Sequence, residues 1–222
     1  MEIKRKYSQG KEERIIRRFF NDMSKGTVVD VGAADGEINS NSRFLIERLG
    51  WQGVLVEPNP EFYQKLSLLY GKNENITIMN NAVYNESGTI PFYMYGEGDT
   101  MQASTLSNKF KKRVEEKHGD KYRTPIDVSC IGLDVVLSKA KFNWQRPQNN
   151  IDFLTIDCEG VDMEVLESNN WNKHRANLVC IEKSMEKKVL NKYMAKQKYS
   201  FITESNENMF YVNDLMWKDI NK

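Results

Sequence analysis

Two stretches of this 222-residue chain, NNIDFLTIDCEG (149–160) and ANLVCIE (176–182), are apolar at consecutive rather than alternate positions. A strand of that kind is buried on both faces, the condition of a strand in the middle of a parallel sheet. Parallel neighbours need crossover segments, and amphipathic ones lie between the apolar runs. KEERIIRRFFNDM puts Ile15, Ile16, Phe19 and Phe20 on one helical face, and Gly26 then releases the chain into a strand, TVVDVG. A helix through SRFLIERLG stops at Gly50, the strand GVLVE follows, and Asn59 with Pro60 behind it reads as the start of a helix whose Phe62, Leu66 and Leu69 share a face.

Further on, ITIMNNAVY reads as a third strand, SGTIPFYMY as an extra strand or hairpin partner, and PIDVSCIG as another strand. LDVVLSKA, VDMEVLES and MEKKVLNKYMAKQ read as helices, and YSFITE and NMFYVND as two late strands. This alternation predicts an α/β doubly wound sheet in a single domain spanning 1–222. Between about 96 and 123 the apolar period is lost and the chain becomes charge-dense (KFKKRVEEKHGDKYR), which predicts a partly helical lid insertion. Its acids, Glu115, Glu116 and Asp120, interleave with the basic residues and favour a solvated helix over a nucleic-acid patch.

The formal net charge is +1, from 32 basic and 31 acidic residues, so no global field draws a polyanion or an anionic membrane. No apolar stretch approaches the roughly 20 residues that span a bilayer. MEIKRKYSQGKEER has no apolar centre for a signal peptide, and a cytoplasmic protein is expected. Cys130, Cys158 and Cys180 each lie in a strand-like run without CxxC spacing, as buried free thiols do.

The chemistry concentrates in VVDVGAADGEINS (28–40). In an open parallel sheet, ligands bind beyond the carboxyl ends of the strands, where the strand order reverses. Gly32 and Gly36 would let a ligand reach the main chain, and the next helix would offer free N–H groups there. Glu57 ends the second strand 21 residues past Gly36, where a carboxylate can accept both hydroxyls of a ribose. The pattern DxGxxxG lacks the middle glycine of a dinucleotide site and the GK[ST] of a P-loop. An adenosine ligand with an amino-acid end suits it better, its ammonium near Asp30, and S-adenosylmethionine has that chemistry. A glycine turn that serves only helix packing is the alternative.

The segments YSQGKEERIIRRFF, VVDVGAADGEINSN, LGWQGVLVEPNP, NNAVYNESG, LDVVL and IDFLTIDCEGVDMEVLES, taken together, resemble the FkbM-type methyltransferases from about Tyr7 to Glu182. EPNP and IDCEG carry the resemblance most specifically. It implies the Rossmann-like class I methyltransferase fold, mostly parallel with an antiparallel strand near the C-terminus. It also implies S-adenosylmethionine as donor and methylation of a hydroxyl on a glycan, nucleotide sugar or related small metabolite. Donor contacts would fall on Asp30, Gly32, Ala33, Asp35 and Gly36, with Glu57 at the ribose, Asn59 on the adenine side and Asn81 and Ala82 framing the base. Asp157 and Glu159 would face donor and acceptor, one of them as the base. Where the family often has Asn in the first loop this chain has GAADG, and Cys158 and Val161 replace the usual Val and Ala.

Other candidates remain open. His118, in the lid, is a reserve base or a solvent-facing residue, and His174 caps a helix or faces solvent. Glu182 either lines the acceptor pocket or pairs with Lys183 or Arg175. Tyr7, Ser8 and Gln9 would cover the donor, unless Ser8 is simply an N-cap, and ASTL from Ala103 would border the site. Asp157, Glu159 and Glu182 could offer hard oxygens to Mg²⁺, but no spacing signature indicates a divalent metal. Nucleic-acid methylation, weakened by the neutral charge and the missing [DN]PP[YF], and non-catalytic adenosine binding are the alternatives. Oligomeric state is not legible.

Overall fold

The computed structural model describes residues 7–97, 103–140, 142 and 151–215. Seven strands form the large sheet: β1 (Thr27–Val31), β2 (Gln52–Val56), β3 (Ile76–Met79), β7 (Ile151–Ile156), β8 (Ala176–Glu182), β9 (Tyr199–Glu204) and β10 (Asn208–Asn213). Their order is β3-β2-β1-β7-β8-β10-β9. All are parallel to their neighbours except β10, which lies antiparallel between β8 and β9. After β1 the chain moves outward to β2 and β3 and later returns to the other side of β1 as β7, so the strand order reverses between β1 and β7.

Side chains alternate across the sheet, and each face meets its own helices. Val28, Leu55, Phe153, Leu178 and Phe210 pack against α1 (Glu12–Phe20), α2 (Arg43–Leu49) and α3 (Pro60–Tyr70) through Ile16, Leu45 and Leu66. Val29, Val54, Leu154, Val179 and Tyr211 pack the other way, on α5 (Leu133–Lys139), α6 (Asp162–Glu167) and α7 (Lys187–Lys196). Local sequence sets the helix ends. α1 opens on Glu12 and Glu13 and closes on Arg17 and Arg18, matching its dipole. α3 is capped by Asn59, whose side chain accepts from the Glu61 N–H, with Pro60 at the first position.

One expected strand is in fact two. ITIMNNAVY splits into β3 and β4 (Ala82–Val83), which belong to different sheets. The Asn80 side-chain amide donates to the carbonyls of Glu57 and Pro58 and holds the chain at the end of β2, which stops the β3 ladder. β4 then joins β5 (Gly88–Phe92) and β6 (Ile126–Ile131) in a small sheet ordered β4-β6-β5, around Phe92, Met94, Val128 and Cys130. Of the charge-dense segment, residues 98–102 lie outside the described residues. The rest includes α4 (Asn108–His118), which Ser107 caps and which buries Phe110 and Val114 against Tyr95 and Tyr122. Among the described residues no helix is long and apolar enough to cross a membrane.

At the amino ends of the strands one buried carboxylate ties three of them together. Asp152 accepts from the Thr27 N–H at 3.0 Å, the Thr27 hydroxyl at 3.2 Å and the Asn177 amide at 3.2 Å. Asp152→Ala would strand these donors away from water, at about 1–3 kcal/mol each. We predict a loss of roughly 2–4 kcal/mol in urea unfolding, with the far end of the sheet, and any ligand affinity there, unaffected.

Candidate active site

At the carboxyl ends of the strands, astride the strand reversal, lies a cavity of about 280 Å³. Its floor is the β1 loop and the chain leaving β7, which are in direct contact. The Asp157 N–H donates to the Val31 carbonyl, and a Cβ on Gly32, which has φ +84°, would stand 1.9 Å from the Asp157 carbonyl oxygen. Gly32 is therefore required by backbone against backbone. Gly36, also at positive φ, is off the cavity, and a Cβ there would meet Leu66 at 2.4 Å. Its smallness serves the packing of α3, so packing, the alternative reading, describes this glycine.

The loop differs from expectation in a second way. Its amides are consumed inside the protein. Gly32 and Ala33 donate to the Val56 carbonyl, Ala34 to the Glu57 carboxylate, Gly36 to the Ala33 carbonyl, and Glu37 and Ile38 to Asp35. The helix begins only at Arg43, and Ser42 turns its hydroxyl to Asp30 at 2.5 Å instead of capping that helix. This is no phosphate cradle, which needs free N–H groups.

What the cavity offers is acceptors. Asp30 lies on its wall, and burial pushes its carboxyl up to about 6 against the Ser42 hydrogen bond. Glu57 accepts from Asn59 N–H at 2.8 Å with one oxygen and from Ala34 N–H at 2.9 Å with the other, and burial raises it to about 7. Each of its oxygens keeps a further lone pair for a ligand hydroxyl. Ala33, Asn81 and Ala82 also line the cavity, and Asn81 is steadied by a bond to Ser129. Asp35 and Asn59 do not line it. Asp35 ties its own loop together, and Asn59, fully buried, caps α3.

Asp157 and Glu159 both border the cavity, but not as neighbours along one strand face. β7 stops at Ile156, and the chain turns through Glu159 (φ 52°) and Gly160 (φ 96°). Cys158 accordingly stands half-buried past the strand, while Cys130 and Cys180 are buried within theirs. The Glu159 carbonyl is held by the Thr105 hydroxyl at 2.7 Å, which fastens the α4 segment to this turn. Burial, then the charge of Asp162, raises Asp157 to about 7, and burial followed by Asp157 raises Glu159 well above the carboxylate range. Asp162, fully buried behind them, is satisfied by the Cys158 N–H and the Ser184 hydroxyl.

Glu182 lines the cavity and pairs with neither basic neighbour. Lys183 turns to Glu204 and the Ser205 carbonyl, and Arg175 lies over Tyr199. Gln9 reaches the cavity, as do Ser104 and Leu106 of ASTL, while the Ser8 hydroxyl accepts from Glu13 N–H. His118 is exposed at the last turn of α4 and off the cavity. His174 is buried, contrary to the solvent-facing reading, just before β8 at the amino end of the sheet. Sequence reasoning missed Glu207 and Asn208, which reach the cavity because β10 inserts beside β8, and Phe92, which the small sheet supplies. No group of three His, Cys, Asp or Glu is arranged to hold a metal among the described residues.

Among solved structures, the methyltransferase FkbM of Methylobacillus flagellatus KT superposes with a TM-score of 0.52 at 15% identity, over 86% of this chain. The present chain spans 44% of that protein's length. A methyltransferase of Geobacter sulfurreducens (TM-score 0.49, 11% identity, 94% of this chain and 82% of that one) is also similar. So is a precorrin-6y C5,15-methyltransferase of Geobacter metallireducens GS-15 (0.47, 8%, 90% and 87%). No curated protein sequence matches significantly. The profile of the methyltransferase FkbM domain matches residues 30–204, which include the end of β1 with the loop after it, β2 with Glu57 and the Asp157–Glu159 turn, and the chain therefore belongs to the FkbM methyltransferase family.

Proposed function

We propose that this methyltransferase carries a methyl group from S-adenosylmethionine to a hydroxyl of a glycan, nucleotide sugar or related small metabolite. The observation that carries the reading is a cavity whose floor includes an internally hydrogen-bonded loop and whose lining carries carboxyl groups in place of cations. The family implies S-adenosylmethionine, and the acceptors fit it. Asp30 would take its ammonium and Glu57 its ribose hydroxyls, while Ala82, Val83, Phe62 and Phe92 offer apolar surface to the base. When bound, the donor supplies an activated methyl group; the chain supplies alignment, exclusion of water and a proton acceptor.

Holding donor and hydroxyl in attack geometry accounts for the largest share of the acceleration, worth roughly 7–11 kcal/mol in well-oriented intramolecular reactions. A hydroxyl is a poor nucleophile until its proton is taken, and Asp157, raised to about 7, is matched to that task near neutrality. Burial and then Asp157 also raise Glu159, which stands as the partner carboxyl of this base. The α4 segment, fastened to this turn, serves as the cover over the acceptor side. Because no lysine or arginine lines the cavity among the described residues, a glycan or metabolite without phosphate suits it better than the diphosphate of a nucleotide sugar.

Detection of the added CH₂ by mass spectrometry across a panel of sugars and glycans tests the reading; methyl transfer to RNA alone would overturn it. Two outcomes are specific. Glu57→Ala should weaken S-adenosylhomocysteine at least about tenfold by calorimetry, because two charge-assisted hydrogen bonds are lost. Asp157→Asn should lower kcat by roughly 10²–10⁴ with donor affinity little changed. The base works only when ionised, so wild-type kcat should climb as pH rises through about 7, and Asp157→Asn should flatten that limb.

A further inference from the structure

Two buried acceptors on the cavity wall have no donor. The Glu182 Oε2 and the Asn208 Oδ1 lack hydrogen-bond partners among the described residues. The two residues are register partners across β8 and β10, so their side chains stand side by side on one face of the sheet. Asn208 is only 4% exposed.

The orientation of the Asn208 amide is fixed by chemistry. Glu12, fully buried in α1, accepts from the Gly10 N–H at 2.6 Å and from the Asn208 Nδ2 at 3.4 Å. Burial raises the Glu12 pKa, but hydrogen bonds from Ser205, the local backbone and Asn208 outweigh it and hold the group below its ordinary value. An ionised carboxylate can only accept, so Asn208 must turn its NH₂ to Glu12 and keep its carbonyl for the other side. A buried polar oxygen left without a partner is costly, and two together on a cavity wall call for a ligand that pairs with both.

The surroundings choose between a hydroxyl and a cation. Asp157, Glu159 and Glu207 line the same cavity, and no lysine or arginine lines it among the described residues. Burial, Asp157 and Asp162 push Glu182 far up, and the exposed Arg113 of α4 offsets this only in part. A neutral hydroxyl would leave Glu182 protonated among its acidic neighbours, whereas an ammonium brings three N–H donors and the charge that lets Glu182 ionise as its partner. The donor's own ammonium is assigned to Asp30 on β1, whereas Glu182 and Asn208 lie beyond β7, on β8 and β10.

We propose that Glu182 and Asn208 hold a primary ammonium group of the methyl acceptor, so that the acceptor is an amine-bearing hydroxyl compound of the amino-sugar class. This rests on the hydroxyl-methylating reading above and narrows it. An amine held as ammonium has no lone pair to react, which leaves a hydroxyl as the nucleophile.

The test is calorimetry on the full chain saturated with S-adenosylhomocysteine, titrated with glucosamine, galactosamine and mannosamine, each against its N-acetyl form. At least one amine should bind about tenfold or more tightly than its N-acetyl form. Glu182→Gln, and independently Asn208→Ser, should abolish that preference while melting cooperatively and binding S-adenosylhomocysteine as the wild type does. Equal binding of the two forms, no binding of any amine, or a preference that survives both substitutions would overturn the proposal. So would weakened S-adenosylhomocysteine binding in the variants, which would make the donor's ammonium the occupant. Normal wild-type donor binding with no amine preference would remove only the amine reading, whereas loss of donor binding in the wild type would remove the methyltransferase reading itself.

Discussion

The site depends on one contact, the Gly32 backbone against the Asp157 carbonyl. It lies where β1 and β7 part company, and a single added carbon would stand 1.9 Å from that oxygen. Because nothing intervenes, the loop after β1 and the acidic turn after β7 share one floor. Glu57 reaches that floor from β2 and Glu182 from β8. Elsewhere the two faces of the sheet are ordinary apolar packing. The fold's distinctive expenditure is electrostatic. Asp30 and Glu57 are buried and Asp157 half-buried, all three are raised above their ordinary values, and Asp162 is kept in place behind them by two donors.

The sheet separates its tasks by end. At the amino ends, Asp152 is fully supplied with donors from β1 and β8 and contributes cohesion. At the carboxyl ends, one buried oxygen each of Glu182 and Asn208 is left without a partner, and that deficit is the basis of the ammonium site proposed above. Parallel strands make such a separation possible, since all their carboxyl termini open on the same side.

Much of this was legible in the sequence, for reasons that can be named. The consecutive apolar runs around Phe153 and Val179 marked central strands, and GVLVE ending on Glu57 located an acid at the cavity without any structure. Short elements were harder. β4 has two residues, too few for a period, so its departure into a second sheet rests on the side-chain bonds of Asn80, which no pattern encodes. Gly36 and Gly32 look alike in the string yet answer to Leu66 and to a backbone carbonyl, respectively. Asn208 reads as the start of an ordinary strand after a turn. Its importance comes from β10 slotting beside β8, a long-range pairing that local sequence cannot state.

That same slotting governs how the molecule is assembled. β10 follows β9 in the chain, yet it lies between β8 and β9, and the Glu12–Asn208 bond it completes joins residues 196 positions apart. Closing so long a loop is slow relative to local pairing. During synthesis the strands up to β9 emerge with the edge of β8 unpaired, and the N-terminal segment has no Asn208 to fasten to. The pocket is therefore completed by the β9–β10 hairpin, and a nascent chain has the β1 and β2 parts of the cavity long before it has the wall formed by β8 and β10.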